Sequence, residues 1–425
     1  MKNSPHLAIT KLGFSTPLGL FFALALVFLQ EGFNYYISFQ TMALAFVLVL
    51  MYASKPSMIN IRHLLLVFFV LSFSIGITAA YSPMVISRNT SNIILTIIGI
   101  LAYALVIICL PSLVPRRVGL ILYGFKRASA ATVIVLASLI VLTDLSLLPF
   151  LNREALLIQN IRLVTNYAGE DVLMNELAYR TMSDLAPRID LFYGEPSYLG
   201  IVLFSCVACY MLTSRLISDF NRSSDPSSQG SFSRGRHYRY VVVAGIISML
   251  YLQSLSSIIY ALLILFFEFR APIGKRFSFS RLLAIFVFVA FVALVFRDSF
   301  EYALYRITMQ DSISLTQRFG SLLDFGINDY LFGLKDESRI PSEGFHNGLF
   351  YIIAISGLAG IWYVFFLLRT VHRLAKPIKM SAFLVLMILA LIMQNGAVFS
   401  PNKVVLFALI LLPLSCARAI YQRKN

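Results

Sequence analysis

Glu195, in Gly194-Glu195-Pro196-Ser197-Tyr198-Leu199-Gly200, and His346, in His346-Asn347-Gly348-Leu349-Phe350, each stand at the mouth of a long apolar run. A carboxylate there can take a proton from a sugar hydroxyl. A neutral imidazole can act as a base, and an imidazolium can hold a phosphate. Asn347 adds an amide able to touch a polar head group. Gly194 and Pro196 set a tight approach to the following helix, and Ser197 can cap it. Four arginines, Arg297, Arg306, Arg318 and Arg339, precede His346, and Arg188 precedes Glu195. A guanidinium grips phosphate oxygens through parallel N–H groups, which suits a diphosphate leaving group. Plainer readings exist for each. Acids are favoured at helix N-termini whatever else they do. A surface arginine beside acids such as Asp324 simply pairs with them. A lone histidine at an interface can be no more than a tolerated polar residue.

The elements that must position these residues are apolar helices. Of 425 residues, 59% are hydrophobic and 13% charged. A soluble domain of this length cannot hide so much apolar surface. Apolar segments recur at about the length that crosses a ~30 Å hydrocarbon core. The expected fold is an all-α polytopic membrane protein, a single integral membrane domain over 1–425. Twelve spans fit: 14–29, 36–53, 63–81, 92–110, 129–148, 197–217, 240–253, 256–269, 282–296, 346–368, 381–395 and 403–420. The pair 240–269 has a second reading, one hairpin bent around Gln253-Ser254-Leu255-Ser256-Ser257. The first apolar run lacks a small-residue cleavage site and reads as a retained span.

Charge orients the chain. Every even-numbered exit is basic, from Lys55 and Arg62 after the second span through Arg116, Arg117, Lys126 and Arg127 after the fourth to Arg423 and Lys424 beyond the last. Retention of cations on the cytoplasmic side places both termini inside. The net charge of +15 is then mostly topology. Nucleic-acid binding would want a basic folded face, and these cations are scattered over short loops. Cys206 and Cys209 form a C-x-x-C inside an apolar run with no second pair, which favours small core residues over zinc or redox chemistry.

Of the 20 acids, 15 lie in two outer segments, 149–196 and 297–345. Outer loops this long are functional or disordered, and their Leu, Ile, Tyr and Phe content argues against disorder. Within them, Leu156–Val164 and Ser299–Tyr305 suit amphipathic helices lying on the membrane. The inner segment 218–238, with Arg222-Ser223-Ser224-Asp225-Pro226-Ser227-Ser228, reads as a flexible cytoplasmic linker. Asp144 and Glu268 are the only acids in the predicted spans, near span ends, with no cation expected to pair with them mid-span. A proton-coupled carrier would show ionisable residues along its path, so this pattern argues against transport. There is no P-loop, no Gly-rich dinucleotide loop and no H-E-x-x-H.

On these residues the chain resembles the O-antigen polymerase and O-antigen ligase superfamily of bacterial membrane glycosyltransferases. Gly194 to Gly200 is similar to the Glu-Pro-Ser signature of polysaccharide polymerases. His346-Asn347 followed by Gly357-x-x-Gly360 is similar to the histidine motif of the ligase branch. Arg318 through Gly333 to His346 resembles the loop preceding that motif. Gln253 to Ser257 sits where the family often has a serine-rich bend, here without its usual arginine.

The resemblance implies a GT-C-like architecture with two large periplasmic loops and an active site facing the periplasm or exterior of a bacterial plasma (inner) membrane. It implies polymerisation of undecaprenyl-diphosphate-linked repeat units into O-antigen, capsule or exopolysaccharide, with no cofactor and no metal. Glu195 would be the base, Arg318 and Arg188 would hold the diphosphate, and His346 would assist there or orient the acceptor. Arg306, Arg339, Asn347 and Ser197 would contact substrate. The partners implied are undecaprenyl-diphosphate-linked glycans and the bilayer, with a chain-length regulator and a flippase as candidates, and no nucleic acid. The rivals are an O-antigen ligase delivering polymer to lipid A-core, a polysaccharide flippase or other transporter, and a membrane scaffold.

Overall fold

The computed structural model describes residues 16–27, 29, 39–53, 57–58, 61–81, 93–148, 189, 191–193, 196–224, 235–252, 254–269, 326–334, 347–394 and 398–421. Among these the architecture is all-α apart from one two-residue ladder. The helices are α1 (Thr16–Val27), α2 (Phe39–Ala53), α3 (Ile61–Tyr81), α4 (Ile93–Cys109), α5 (Val118–Asp144), α6 (Pro196–Ser224), α7 (Arg236–Tyr251), α8 (Leu255–Phe269), α9 (Ile327–Phe332), α10 (Gly348–Ala375), α11 (Ser381–Met393) and α12 (Pro401–Tyr421). Strand β1 (Ser57–Met58) pairs antiparallel with β2 (Leu113–Val114), Ser57 opposite Val114. Four helices, α5, α6 from Pro196 to Asn221, α10 and α12, are long and apolar enough to cross a membrane. The chain is thus a multi-pass membrane protein by the length and composition of its helices. Helices suit that setting because they satisfy their own backbone hydrogen bonds where no water can.

Contacts between helix ends give the directions. Tyr421 at the end of α12 donates to Asp219 Oδ2 late in α6 (2.5 Å). Ser381 opening α11 meets His372 late in α10 (2.6 Å). Tyr238 early in α7 donates to Glu268 late in α8 (2.5 Å). These lie at one end of the bundle, which carries almost every described Lys and Arg. At the opposite end, Ser257 early in α8 meets the Pro196 carbonyl at the start of α6 (3.5 Å), and Lys403 early in α12 meets Leu391 late in α11 (2.8 Å). We call these the basic end and the loop end, since the described turn Leu191–Tyr193, which leads into α6, lies at the second.

Helices α6 and α12 form the centre. In their most apolar stretches 94% and 89% of residues are buried, against 39% for α5 and 56% for α10. Helix α12 packs on α2, α4, α5, α6, α10 and α11, and α6 packs on α5, α7, α8 and α12. The outer helices turn large apolar side chains outward, among them Phe69 and Phe73 of α3, Ile134 and Val141 of α5 and Phe365 of α10. Water would penalise such a surface, and lipid does not.

Helix α10 is broken at Gly357, whose φ of 53° and ψ of −135° lie outside the helical region. Side chains rarely adopt that φ, and a Cβ there would stand 2.5 Å from the Leu331 carbonyl oxygen. The short helix α9 occupies the space opened by the break. Carbonyls ahead of the break take donors from outside the helix: Leu334 N–H reaches Ala354 O (2.8 Å) and Ser74 Oγ of α3 reaches Ser356 O (2.7 Å). Leu334 then packs with Phe350, Ile353 and Ala354 in a small cluster of its own. The glycines of Gly357-x-x-Gly360 therefore have a backbone role.

The expected spans correspond to helices with three differences. The fifth begins at Val118, so Lys126 and Arg127 lie inside α5 rather than in a loop before it. Helices α6 and α10 run on past the expected spans, taking in Asp219, Arg369 and Arg373. At a membrane boundary a long cationic side chain can continue a helix while its head reaches water, which a hydropathy window does not register. Third, a short helix, α9, lies within the expected outer segment 297–345, whereas 240–269 is two helices, as the twelve-span count has it. The expected span 282–296 and the amphipathic segments Leu156–Val164 and Ser299–Tyr305 lie outside the described residues.

Candidate functional site

Pro196 and Ser197 open α6 at the loop end, both buried. The turn before them is anchored. Leu191–Tyr193 forms one turn of 3-10 helix, and Tyr193 donates its hydroxyl to Leu26 O at the end of α1 (2.6 Å). Burial, with smaller contributions from Cys206 and Tyr198, pushes the Tyr193 phenol well above its usual value, so it stays a donor. Leu191 starts this turn at φ 48°, a left-handed conformation that costs a non-glycine residue about 1 kcal/mol or more.

One turn into α6, Gly200 lies so close to α8 that an added Cβ would fall on the Ser257 hydroxyl. That approach brings the serine-rich bend against the mouth of α6. Ser254 and Ser256 lie 3.0 Å apart through their hydroxyls. One turn along α8, Tyr260 stacks on Phe204 of α6 (ring centroids 4.7 Å) and donates to Gln394 Oε1 (2.9 Å). Gln394 follows α11, and its main-chain carbonyl, with that of Leu391, receives the Lys403 ammonium. A polar track thus runs at the loop end in two linked pairs of contacts, Pro196 with Ser257 and, one turn along α8, Tyr260 through Gln394 to Lys403.

Lys403 is 2% exposed. It stands in the first turn of α12, where the helix dipole disfavours a cation, yet it caps the C-terminal carbonyls of the antiparallel α11, where a cation is favoured. Among the described residues it is the only Lys or Arg at this end. Sequence reasoning missed it, along with Tyr260 and Gln394. The available signal was a lysine just after Ser400-Pro401-Asn402 at the opening of an apolar helix, the wrong end for its charge.

Of the site residues expected from sequence, Ser197 and Asn347 are described. Asn347 is 1% exposed and caps α10, its Oδ1 accepting from Leu349 N–H (3.0 Å). Glu195, His346, Arg188, Arg306, Arg318 and Arg339 lie outside the described residues. Glu268, expected to lack a cationic partner, has one at the basic end: Arg215 Nη2 lies 3.7 Å from its Oε1. The partner was hidden because Arg215 and Glu268 belong to different helices, brought together only by packing. Cys206 and Cys209 are buried and free. Among the described residues no three His, Cys, Asp or Glu side chains gather as a metal site.

No protein-family model, curated protein or solved structure matches this chain.

Proposed function

We propose that the chain is a membrane glycosyltransferase that polymerises undecaprenyl-diphosphate-linked oligosaccharides at the loop end. The observation that supports this is the shared position of Pro196–Ser197 and Asn347. These are the described neighbours of Glu195 and His346, and they open two different apolar helices at the same end of the bundle. The described openings of the two motifs thus lie at one end of the bundle.

In this reading an acceptor sugar hydroxyl attacks the carbon that bears the diphosphate. The new glycosidic C–O bond forms as the bond to the diphosphate oxygen breaks, and the leaving group keeps the electron pair. The hydroxyl proton passes to a base, for which Glu195 is the candidate. Arg318 and Arg188 neutralise the charge developing on the diphosphate, the kind of stabilisation that dominates such transfers. Arg306, Arg339, Ser197 and Asn347 position substrate, and His346 assists at the diphosphate or orients the acceptor. The transporter rival expects charged side chains along a path through the spans. Lys403 is a charge at depth, but carbonyls at the end of α11 hold its ammonium.

The test is reconstitution with undecaprenyl-diphosphate repeat units as the only glycan. A ladder of lengthening lipid-linked products that disappears in His346→Ala and Arg318→Ala is the expected result. Transfer only after lipid A-core is added means a ligase. Inertness in both assays with the native repeat unit overturns the glycosyltransferase reading.

A further inference from the structure

A cleft of about 320 Å³ opens at the basic end among α5, α6 and α7, on the far side of the bundle from the polar track. Lys126 of α5 lies on one wall, Ser214, Ser218 and Asn221 of α6 on the next, and Gly235 and His237 at the start of α7 close the third. Tyr210 and Tyr238 form the apolar back, their rings stacked at 5.8 Å. Lys126 Nζ stands 5.6 Å from the Tyr210 ring centre, which holds the ammonium toward the cleft by a cation–π contact. No carboxylate is among the lining residues. Asp219, next to Ser218, accepts from Tyr421, and Glu268, which accepts from the Tyr238 hydroxyl behind the cleft, lies near Arg215.

Two features of the lining ask for a ligand. Ser214 is 5% exposed and its buried hydroxyl has no hydrogen-bond partner, although buried hydroxyls usually find one. Helix α7 begins at Gly235 on the same cleft, and among the described residues no side chain caps its first N–H groups. Such groups carry partial positive charge and receive anions. An ammonium, an unengaged hydroxyl, an amide, an imidazole and a bare helix N-terminus facing one cleft form a donor set of positive potential.

We propose that this cleft binds a phosphate group. Lys126 lies ~12 Å along α5 from its start. A lipid phosphodiester and a free phosphate offer the same chemistry here. Positive-inside retention would turn this face toward the cytoplasm, where anionic lipids gather against basic residues. The inference is independent of the proposed glycosyltransferase activity.

The test uses the full chain in phosphatidylcholine nanodiscs, with two arms. One adds phosphatidylglycerol and counts lipid retained by native mass spectrometry. The other adds inorganic phosphate at constant ionic strength and follows thermal stability. We expect saturable binding in at least one arm, and the responding arm names the source. Lys126→Gln should weaken it about tenfold and Lys126→Arg should retain most of it, as expected for one charge-assisted hydrogen bond. Ser214→Ala should weaken it by a smaller factor, and Arg369→Ala, a basic-end change on α10, should leave it unchanged. Absence of saturable binding in both arms overturns the proposal, as does equal binding by Lys126→Gln. Should Lys126→Gln fail to fold, His237→Ala at the exposed rim carries the test, and unchanged affinity there overturns the proposal.

Discussion

Lys403 and Arg215 sit at opposite ends of the bundle and are held in opposite ways. Lys403 is almost wholly buried with no carboxylate among its hydrogen-bond partners, and main-chain carbonyls of α11 take its protons. Arg215 has a carboxylate, but at 3.7 Å, and its Nε has no hydrogen-bond partner. Its guanidinium instead lies over Phe267, 4.7 Å from the ring centre. The cation without a counter-ion is the better satisfied of the two. A helix terminus supplies several aligned carbonyls at once, whereas a single carboxylate must be met at one geometry and repays its own desolvation. Counting ion pairs would therefore rank these two residues in the wrong order.

The strongest way to break this comparison is Lys403→Met. It leaves the Leu391 and Gln394 carbonyls buried without a donor and should cost about 3 kcal/mol. The readout is thermal unfolding in nanodiscs, followed through the single tryptophan, Trp362. A loss below that of Arg215→Ala would reverse the ranking. Next comes a double-mutant cycle on Arg215→Ala and Glu268→Gln. The coupling should be about 1 kcal/mol, as befits a partly exposed, long ion pair, and should shrink in high salt while the Lys403→Met effect does not. The smallest expected change is Tyr238→Phe, which removes the 2.5 Å hydrogen bond to Glu268 for about 0.5–1 kcal/mol. A larger loss there than in Arg215→Ala would mean that the tyrosine, rather than the arginine, is the main partner of Glu268.

The same two residues mark what was legible in the sequence. Apolar length revealed the helices, because each span must bury or present about the same run of hydrocarbon. It located the starts of α6, α8, α10 and α12 to within two residues. It missed the start of α5, since Lys126 and Arg127 end a hydropathy window without ending a helix. The broken α10 was half legible. Gly357 and Gly360 stood out, but the reason for Gly357 is the Leu331 carbonyl, brought there by a segment remote in sequence. Lys403 was legible only as a charge at the wrong end of its helix; its partners, Leu391 and Gln394, belong to the end of the neighbouring helix and were not. At the candidate site, sequence drew attention to Ser197 and Asn347, and folding adds the Ser257, Tyr260, Gln394 and Lys403 track.

The central place of α12 also bears on how the protein is made. This helix follows the eleven other described helices, yet it fills the space between α2, α4, α5, α6, α10 and α11. While the ribosome is still producing earlier segments, the faces that will receive α12 have no permanent partner and must be covered by lipid, insertion machinery or one another. Assembly can finish only after Lys403 has reached the end of α11, whose last carbonyls its ammonium caps. A nascent chain stopped before Pro401 should therefore be a substrate for membrane quality control even with most of its helices inserted, and the time spent in that state is set by translation rather than by helix packing.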